Sequence, residues 1–271
     1  MRFLLILPLV TAATACLHDR TLARRAAQAG TPSFGYSGAQ GPLNWYGLDP
    51  QTNAACDLGK QQSPIAIDST TIRPIDPGSV SFDIPSAEHV EFENLGYTLE
   101  VILPNGTLTV QDKQYTLAQF HFHTPSEHRI DEEHFPLEVH FVWTDETHGI
   151  AVVGFVFQLS DAGDCDSLFN SVFAHVESIS EPGSATEIES LVFDGLAKHF
   201  ESHDVFTYGG SLTTPPCSEG VSWFVSAEPL ALDVHSYNQV KRVIRFNSRY
   251  TQNVPGDENL LEMAARELNG L

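Results

Sequence analysis

The chain has 271 residues, of which 42% are hydrophobic, enough for one large soluble domain or two small ones. Acidic side chains outnumber basic ones by 35 to 14, which gives a formal net charge of -21. Nucleic acids and anionic membrane surfaces would repel this charge, so we expect neither as a partner.

The N-terminus resembles a secretory signal peptide. Arg2 supplies the positive start, residues 3–10 form a short apolar run, and residues 13–15 form a small-residue cleavage site. The apolar run is too short to span a bilayer, and no apolar tail closes the chain. We therefore expect a secreted, extracellular protein without a membrane span, with a signal peptide at residues 1–15.

A second processing step is indicated further along the leader. Arg24 and Arg25 resemble a dibasic processing site, so residues 16–30 are expected to form a leader or pro-segment. The folded domain is then expected at residues 31–255, followed by a helical tail at residues 256–271.

Short apolar or alternating runs, broken by turn residues, fill the chain between residues 80 and 160. This pattern predicts strands in one antiparallel, β-rich domain. The predicted strands are residues 90–92, 98–103, 107–110, 115–123, 137–144 and 150–159. Helical patterns are few, and they lie at residues 167–178, 188–196, 235–246 and 258–268.

A turn signal separates two of these predicted strands. Pro104, Asn105 and Gly106 predict a β-hairpin at this point. Asn105 also begins the only N-glycosylation sequon, which continues with Gly106 and Thr107. The tip of a hairpin in a secreted protein is a suitable place for a glycan, so we expect one on Asn105.

The segment QFHFHTPSEH, residues 119–128, places two histidines on one face of a predicted strand. Successive side chains of a strand alternate between its faces, so His121 and His123 point the same way. Two imidazoles on one face are better placed to share a cation than to pack in a core. His140 lies in a second predicted strand, LEVHFVW, which antiparallel pairing could bring within reach. Three neutral histidines form the ligand set of a catalytic zinc that keeps one position open.

Two polar residues have the spacing expected of hydrogen-bond acceptors for these histidines. A metal-bound imidazole needs an acceptor for its other N–H group. Gln119 precedes His121 by two residues, and Glu138 precedes His140 by two residues, so each pair shares a strand face. We expect both to orient the imidazoles.

The same letters allow a different metal site. HFHTPSE is an HxH motif followed after three residues by a glutamate, which is the first metal motif of cupins. In a cupin Glu127 would bind the metal, and a glycine-rich second motif would supply another histidine. The surroundings of His140 are not rich in glycine, which disfavours this alternative.

Further stretches decide between the two interpretations. The segment YGGSLTTPPCSEGVSWFV, residues 208–225, closely resembles the signature of the α-class carbonic anhydrases, and so does QFHFHTPSEH followed by LEVHFVW. FGYSGAQGPLNW and GKQQSPIAI, upstream, match the family in the same order. The resemblance covers residues 33–253. It implies a mainly β (α+β) single domain, with a large central, mostly antiparallel twisted sheet and short surface helices.

The resemblance also implies roles for individual residues. His121, His123 and His140 resemble the zinc ligands, and Gln119 and Glu138 resemble the acceptors that orient them. The residues that resemble the substrate-binding wall are Thr214, Val142, Val152, Leu212, Val221 and Trp223. Those that resemble a buried hydrogen-bond network behind the site are Ser63, His128 and Tyr208. The family's two cis bonds are expected at Ser63-Pro64 and Pro215-Pro216.

Two residues are implied in catalysis. Thr213 resembles the threonine that accepts a hydrogen bond from zinc-bound hydroxide, and Glu127 resembles the carboxylate that takes the proton of Thr213. The implied reaction is the zinc-dependent, reversible hydration of carbon dioxide to bicarbonate and a proton, by attack of that hydroxide. Sulfonamides and anions are the implied inhibitors. Glu127 is then not a metal ligand, unlike in a cupin.

The remaining alternative is a secreted, non-catalytic binding module on the same fold. In either case we expect a monomer or a homodimer. Such relatives typically lose a zinc histidine, and this chain keeps all three.

One position departs from the family pattern. In NLGYTLEV, residues 94–101, many members carry a histidine where Tyr97 stands, and that histidine relays a proton to buffer. A phenol with a pKa near 10 is a poor relay at neutral pH. The departure predicts slower turnover, with His89 as the first other residue to test.

Three cysteines follow the predicted leader, namely Cys56, Cys165 and Cys217. Secretion favours one disulfide among them, but the residues alone do not decide the pair. The resemblance places the bridge between Cys56 and Cys217. Cys165 is then left outside the bridge, or paired across a dimer.

Overall fold

The computed structural model of the protein describes residues 34–72, 74–75, 78–161 and 165–270. The expected signal peptide and leader lie outside these residues. The strands of the described part are β1 (Ala66–Ile67), β2 (Val80–Asp83), β3 (Ala87–Asn94), β4 (Leu99–Ile102), β5 (Thr107–Val110), β6 (Lys113–His123), β7 (Arg129–Ile130), β8 (Glu133–His134), β9 (Leu137–Thr144), β10 (Ile150–Leu159), β11 (Ala185–Leu191), β12 (Val205–Ser211), β13 (Glu219–Ser226) and β14 (Leu230–Leu232). The α-helices are α1 (Trp45–Leu48), α2 (Ala54–Leu58), α3 (Ser167–Phe173), α4 (Asp194–Ser202), α5 (Val234–Ile244) and α6 (Leu260–Asn269).

One large sheet organises the domain. Its main path runs β11-β3-β4-β6-β9-β10-β13-β12, and neighbours along it are antiparallel except β10 and β13. β5 lies beside β6 and carries β2, and β14 pairs in parallel with β10. The expected single domain with a large, mostly antiparallel sheet is confirmed.

The sheet separates a large core from a small one, because side chains alternate along each strand. On β6, Phe120 and Phe122 enter the large core and are fully buried, which stabilises the fold by about 2 kcal/mol for each ring. Helices α3, α4 and α5 cover this core. The opposite face carries a smaller apolar cluster that includes Val152 and Trp223.

The hairpin predicted at Pro104, Asn105 and Gly106 is not present. β4 and β5 both pair with β6, one after the other, so the chain runs on in one direction through these residues. The reversal occurs one strand later at Gln111, where Val110 pairs with Lys113. Gln111 has φ 53, so it takes the left-handed conformation that a tight turn requires, without being glycine. Asn105 is nevertheless exposed, as a glycan would require.

The helix predicted at residues 188–196 is also wrong in its first half. Residues 185–191 form strand β11, which pairs with β3, and the helix α4 begins only at Asp194. Ile188 and Leu191 have helical spacing, but both point into the large core from the strand. The pairing with β3 satisfies the backbone and overrides the local pattern. The other three predicted helices are present as α3, α5 and α6, with shifted ends.

The predicted disulfide between Cys56 and Cys217 is present, with Cα atoms 5.1 Å apart. Both residues are fully buried with Trp45 in a third small cluster. The bridge joins α2 to the loop between β12 and β13, which carries Thr213. Cys165 lies outside the bridge and packs, half-buried, against the large core.

The two predicted cis bonds, Ser63-Pro64 and Pro215-Pro216, are cis, and so is Thr124-Pro125. In the part of the chain that the structure describes, no helix has the length and apolar character that a membrane span needs.

Candidate metal centre

Three histidines meet on the face of the sheet opposite to the large core. β6 and β9 pair antiparallel with His121 directly opposite His140, so the predicted antiparallel neighbour does bring His140 within reach. The ring centroids of His123 and His140 are 4.5 Å apart, and those of His121 and His140 are 5.4 Å apart. The alternation of two neighbouring strands is therefore enough to assemble the cluster.

Two of the rings are held by the acceptors that the spacing predicted. Nδ1 of His121 donates to Oε1 of Gln119 over 2.8 Å, and Nε2 of His140 donates to Oε1 of Glu138 over 2.8 Å. The amide and carboxylate oxygens can only accept, so these ring nitrogens carry the hydrogen. The lone pairs are left on Nε2 of His121 and Nδ1 of His140.

The acceptor for the third ring was not foreseen from the sequence. Nδ1 of His123 donates to the backbone carbonyl of Asn247 over 2.9 Å. The side chain of Asn247 is itself fixed, because its amide donates to the carbonyls of Tyr97 and Phe122 and accepts from the backbone N–H of Thr124. A backbone carbonyl 124 positions away leaves no sequence pattern.

The cluster fits a zinc ion. One ring nitrogen from each of His121, His123 and His140 lies within 4.8 Å of the others, and Nε2 of His123 is buried without a hydrogen-bond partner. Burial is the main reason why the pKa of His123 falls to about 4, and it also lowers the pKa values of the other two. All three imidazoles are therefore neutral near pH 7, the form that binds metal. Three neutral histidines with a free lone pair suit tetrahedral zinc with one open position.

A second group of potential ligand atoms lies close together, but hydrogen bonds already join its members. The group comes from His128, Glu138 and His140. Oε1 of Glu138 accepts from Nδ1 of His128 over 2.6 Å as well as from His140. Oε2 accepts the backbone N–H groups of Glu127 and His128, both over 2.8 Å. Burial alone would raise the pKa of Glu138, but the charges and hydrogen bonds of His128 and His140 outweigh it and hold the pKa well below its usual range. Glu138 is thus a fixed charge behind the centre.

The predicted buried network continues from Glu138. Nε2 of His128 lies 2.7 Å from the hydroxyl of Tyr208, which lies 2.8 Å from Oγ of Ser63. The backbone N–H of Ser211 donates to the same Oγ over 3.0 Å. The chain of contacts links the centre to β12 and fixes the orientation of His128.

Glu127 lies beside the centre but not among the ligands. Its Oε1 accepts the backbone N–H of Arg249 over 2.8 Å, and its Oε2 lies 4.0 Å from Nδ1 of His140. Burial raises the pKa of Glu127 to about 7, against the opposing effects of His140, the Arg249 backbone and the hydroxyl of Thr213. Oε2 of Glu127 is buried and makes no hydrogen bond of ordinary length.

The apolar residues predicted to bind substrate gather next to the histidines. Val142 lies opposite Val152, and Val152 lies opposite Trp223, across three neighbouring strands. The ring of Trp223 is 4.8 Å from that of His140. Val221 and Leu212 complete the same cluster, and Thr214 lies half-buried in the loop after β12.

Tyr97 is half-buried, and its ring centroid lies 5.0 Å from that of Phe34. His89 lies elsewhere. It is exposed on β3, two strands from β6 along the sheet path, and pairs with Glu187 of β11 over 2.8 Å.

Arg249 is a second residue that the sequence did not reveal. It is 2% exposed, and its guanidinium donates to the carbonyls of Ser63 and Cys56 and to the side chain of Gln62. Its backbone positions Glu127, so one residue ties the disulfide region to the centre. Arg249 follows a helix in a polar run without periodicity, which is why no local pattern indicates its burial.

Comparisons with known proteins agree with this arrangement. A family model described as eukaryotic-type carbonic anhydrase matches residues 40–269. A carbonic anhydrase of Pectobacterium atrosepticum is 32% identical over 226 residues, which cover 82% of this chain and 88% of the relative. The structure of the fungal alpha carbonic anhydrase from Aspergillus oryzae is 56% identical, with a TM-score of 0.84, over 86% of this chain and 99% of that one. The alpha-carbonic anhydrase of Thermovibrio ammonificans, in complex with the inhibitor sulfanilamide, is 33% identical, with a TM-score of 0.73. The match covers 83% of this chain and 97% of that one.

Fold and site together define a mainly β enzyme with a cluster of three histidines that could hold a metal ion. The chain belongs to the family of eukaryotic-type (α) carbonic anhydrases. Membership of this family supports the hydration of carbon dioxide as the reaction of this protein. The matched region ends at residue 269 and so includes α6.

Proposed function

We propose that the protein hydrates carbon dioxide reversibly to bicarbonate and a proton, with zinc held by His121, His123 and His140. The observation that supports this most is the set of three buried imidazoles, each oriented by its own acceptor, with their free nitrogens close together. Bound zinc lowers the pKa of a water molecule so that hydroxide is available near neutral pH, an effect for which carbonic anhydrase itself is the reference case.

The surrounding residues would then orient the reactants. Thr213, with its proton directed to Glu127, presents an oxygen that can only accept a hydrogen bond, which fixes the direction of the nucleophile's lone pair. Val142, Val152 and Trp223 supply an apolar surface suited to an uncharged substrate. No charged group is needed to hold carbon dioxide itself.

Removal of one ligand tests this proposal. In His140→Ala, we expect zinc to be lost and hydration to fall to the uncatalysed rate, while the circular dichroism spectrum stays β-rich. His235→Ala, which changes an exposed histidine on α5, should keep full zinc and full activity. Zinc content by mass spectrometry and stopped-flow hydration measure both. Unchanged zinc and activity in His140→Ala would refute the proposal.

Sulfonamide inhibition separates the enzyme from a non-catalytic module. The relative from Thermovibrio ammonificans is a complex with sulfanilamide. We propose that sulfonamides and small anions inhibit this chain in the same way, by occupying the open metal position. A protein that binds zinc and sulfanilamide but does not hydrate carbon dioxide would instead be a binding module.

We further propose that the protein is secreted and carries a glycan on Asn105. The signal-like N-terminus, the Cys56–Cys217 bridge and the exposure of Asn105 support this. N-terminal sequencing of protein from the medium and the mass change on glycan removal test the two parts, with Asn105→Gln as the control. Retention inside the cell, or an unchanged mass after glycan removal, would contradict them.

A further inference from the structure

A cleft of about 260 Å³ lies next to the metal centre without belonging to it. Glu127 and Arg249 line this cleft, whereas the three histidines, Thr213 and the apolar residues assigned to the substrate do not. Sites for drug-sized ligands commonly have volumes of about 300–1,000 Å³. The cleft is therefore of a size for a smaller organic molecule.

Part of the lining is apolar and open to solvent. Leu43 and Phe246 both line the cleft, and they are 72% and 56% exposed. Tyr36 and Tyr250 add two further aromatic side chains to the lining. Aromatic rings pack favourably against another ring in offset or edge-to-face contacts. This part of the cleft therefore suits a flat apolar group.

Three lining residues carry hydrogen-bond donors without an acceptor. The hydroxyls of Tyr36 and Tyr250 and Nε of Arg249 are buried, and none of them has a hydrogen-bond partner among the described residues. Buried polar groups of folded proteins are nearly always paired. Guanidinium N–H and phenol O–H groups donate, so a ligand with acceptor oxygens would complement them.

The charge that solvent can reach in the cleft is positive. Arg129 lies opposite His134 in the pairing of β7 with β8, and both line the cleft. The side chain of Arg129 is 40% exposed, and Glu132, its ion-pair partner, is 83% exposed at 3.9 Å, so the pair is weak. Glu127 is the one carboxylate among the described lining residues, but it is 1% exposed and lies beside the buried cation of Arg249.

We propose that this cleft binds a small aromatic monocarboxylate, with its ring against Leu43 and Phe246 and its carboxylate towards Arg129. The ring complements the exposed apolar side chains, and the carboxylate supplies both the negative charge and the acceptor oxygens. The bound acid would contact the segment of residues 246–251, which also holds His123 and Glu127 through Asn247 and Arg249. The site is separate from the proposed zinc position and does not depend on it.

Phenylacetate titrated into isotope-labelled protein and followed by NMR tests the proposal. The titration uses zinc-loaded protein saturated with sulfanilamide, so that the open metal position is blocked, and it is repeated with zinc-free protein. In both we expect saturable shifts at the amides of Arg129, Phe246 and Tyr250, with a dissociation constant of about 0.1–3 mM. Acetate lacks the ring and should bind at least about tenfold more weakly. Phenylacetamide lacks the charge and should bind about three- to fivefold more weakly.

Two substitutions separate the contribution of the charge from that of the ring. Arg129→Gln should weaken phenylacetate about three- to fivefold and leave phenylacetamide nearly unchanged, because only the acid is charged. Phe246→Ala should weaken both ligands about threefold. Lys198→Gln and Val192→Ala change an exposed cation and an exposed apolar residue that do not line the cleft, and they should alter neither affinity.

Several outcomes would overturn the proposal. They are the absence of saturable shifts, shifts confined to other surfaces, acetate binding as tightly as phenylacetate, or wild-type affinity in both Arg129→Gln and Phe246→Ala. Binding that requires an open zinc position would assign the acid to the metal centre instead. If Arg129→Gln folds poorly, the comparison with phenylacetamide in wild type tests the charge. Protein that holds phenylacetate but binds no zinc would contradict the proposed function and leave this site in place.

Discussion

Glu127 illustrates at the scale of one residue how burial and role are linked. Its carboxylate lies near two histidines, yet it is held by a backbone N–H of Arg249 and stands outside the group of ligand atoms. Its proposed task is to accept the hydrogen bond that the hydroxyl of Thr213 donates, and this task requires an acceptor.

Glu127→Gln tests that task. The new amide can donate to Thr213 and reverse the direction of its hydrogen bond, so we expect turnover to fall roughly a hundredfold while zinc is retained. Stopped-flow hydration and zinc analysis measure both quantities. Loss of stoichiometric zinc would instead favour the cupin-like site, in which Glu127 is a ligand.

Tyr97 leads to a prediction about proton transfer. A neutral phenol with a pKa near 10 is a poor base for a proton leaving a group of pKa about 7, whereas histidine, near 6.5, is well matched. Turnover of the wild type should therefore rise with the concentration of an imidazole buffer. Tyr97→His should raise turnover severalfold at low buffer and leave kcat/KM for carbon dioxide nearly unchanged. Turnover independent of buffer would show that another group relays the proton, and the distant, paired position of His89 makes it a poor candidate.

At the scale of elements, the disulfide links α2 to the loop that holds Thr213. The bridge joins residues separated by 161 positions, and the chain-entropy model gives it about 4–5 kcal/mol of stabilisation at most. Cys56→Ser with Cys217→Ser should lower the urea midpoint accordingly and reduce kcat, because Thr213 loses its anchor. Cys165→Ser is the matched control and should change neither. A midpoint unaffected by the double substitution would show that the bridge contributes little to the folded state.

The elements of the centre were predictable where alternation carried the information. β6 and β9 alternate apolar and polar residues, and this period placed His121 and His123 on one face, while the pairing of β6 with β9 set His140 opposite His121. The hairpin at Asn105 and the helix at Ile188 were wrong, because pairing with β6 and β3 decided those segments. The local sequence of a segment does not specify which strand it pairs with.

Other parts of the centre were beyond local patterns. Asn247 and Arg249 act through backbone groups and buried polar contacts made over more than 100 positions. Such contacts have no period and no fixed spacing. The Cys56–Cys217 pair likewise came from family resemblance, since the residues alone allowed other pairings.

At the scale of the whole molecule, buried neutral histidines make the zinc-free protein sensitive to acid. The unfolded chain takes up a proton on His123 near pH 6.5, but burial delays this to about pH 4 in the folded chain. Stability is therefore full above pH 6.5 and falls as the pH drops through this window, by about 3 kcal/mol for this residue. Because the pKa of Glu138 is depressed, its protonation also lowers the stability of the folded chain as the pH falls, but at lower pH.

Urea unfolding of the zinc-free protein from pH 7.5 to 4 checks this expectation. The midpoint should fall steadily across the range, and His123→Gln should show a shallower fall from a lower starting value. Above pH 6.5, added zinc should raise the urea midpoint. In acid, zinc should lose this effect, because protons compete with it for the ligand nitrogens. An equal slope in His123→Gln would assign the acid sensitivity to other groups.

The contact between His123 and the carbonyl of Asn247 has a consequence for biosynthesis. The two residues are 124 positions apart, and Asn247 follows the last strand and α5. A growing chain can pair β6 with β9 once residue 144 has emerged, yet His123 gains its acceptor only after residue 247 has also emerged. The full set of three oriented imidazoles, which the proposed zinc site requires, is therefore assembled only after β6 and β9 have paired.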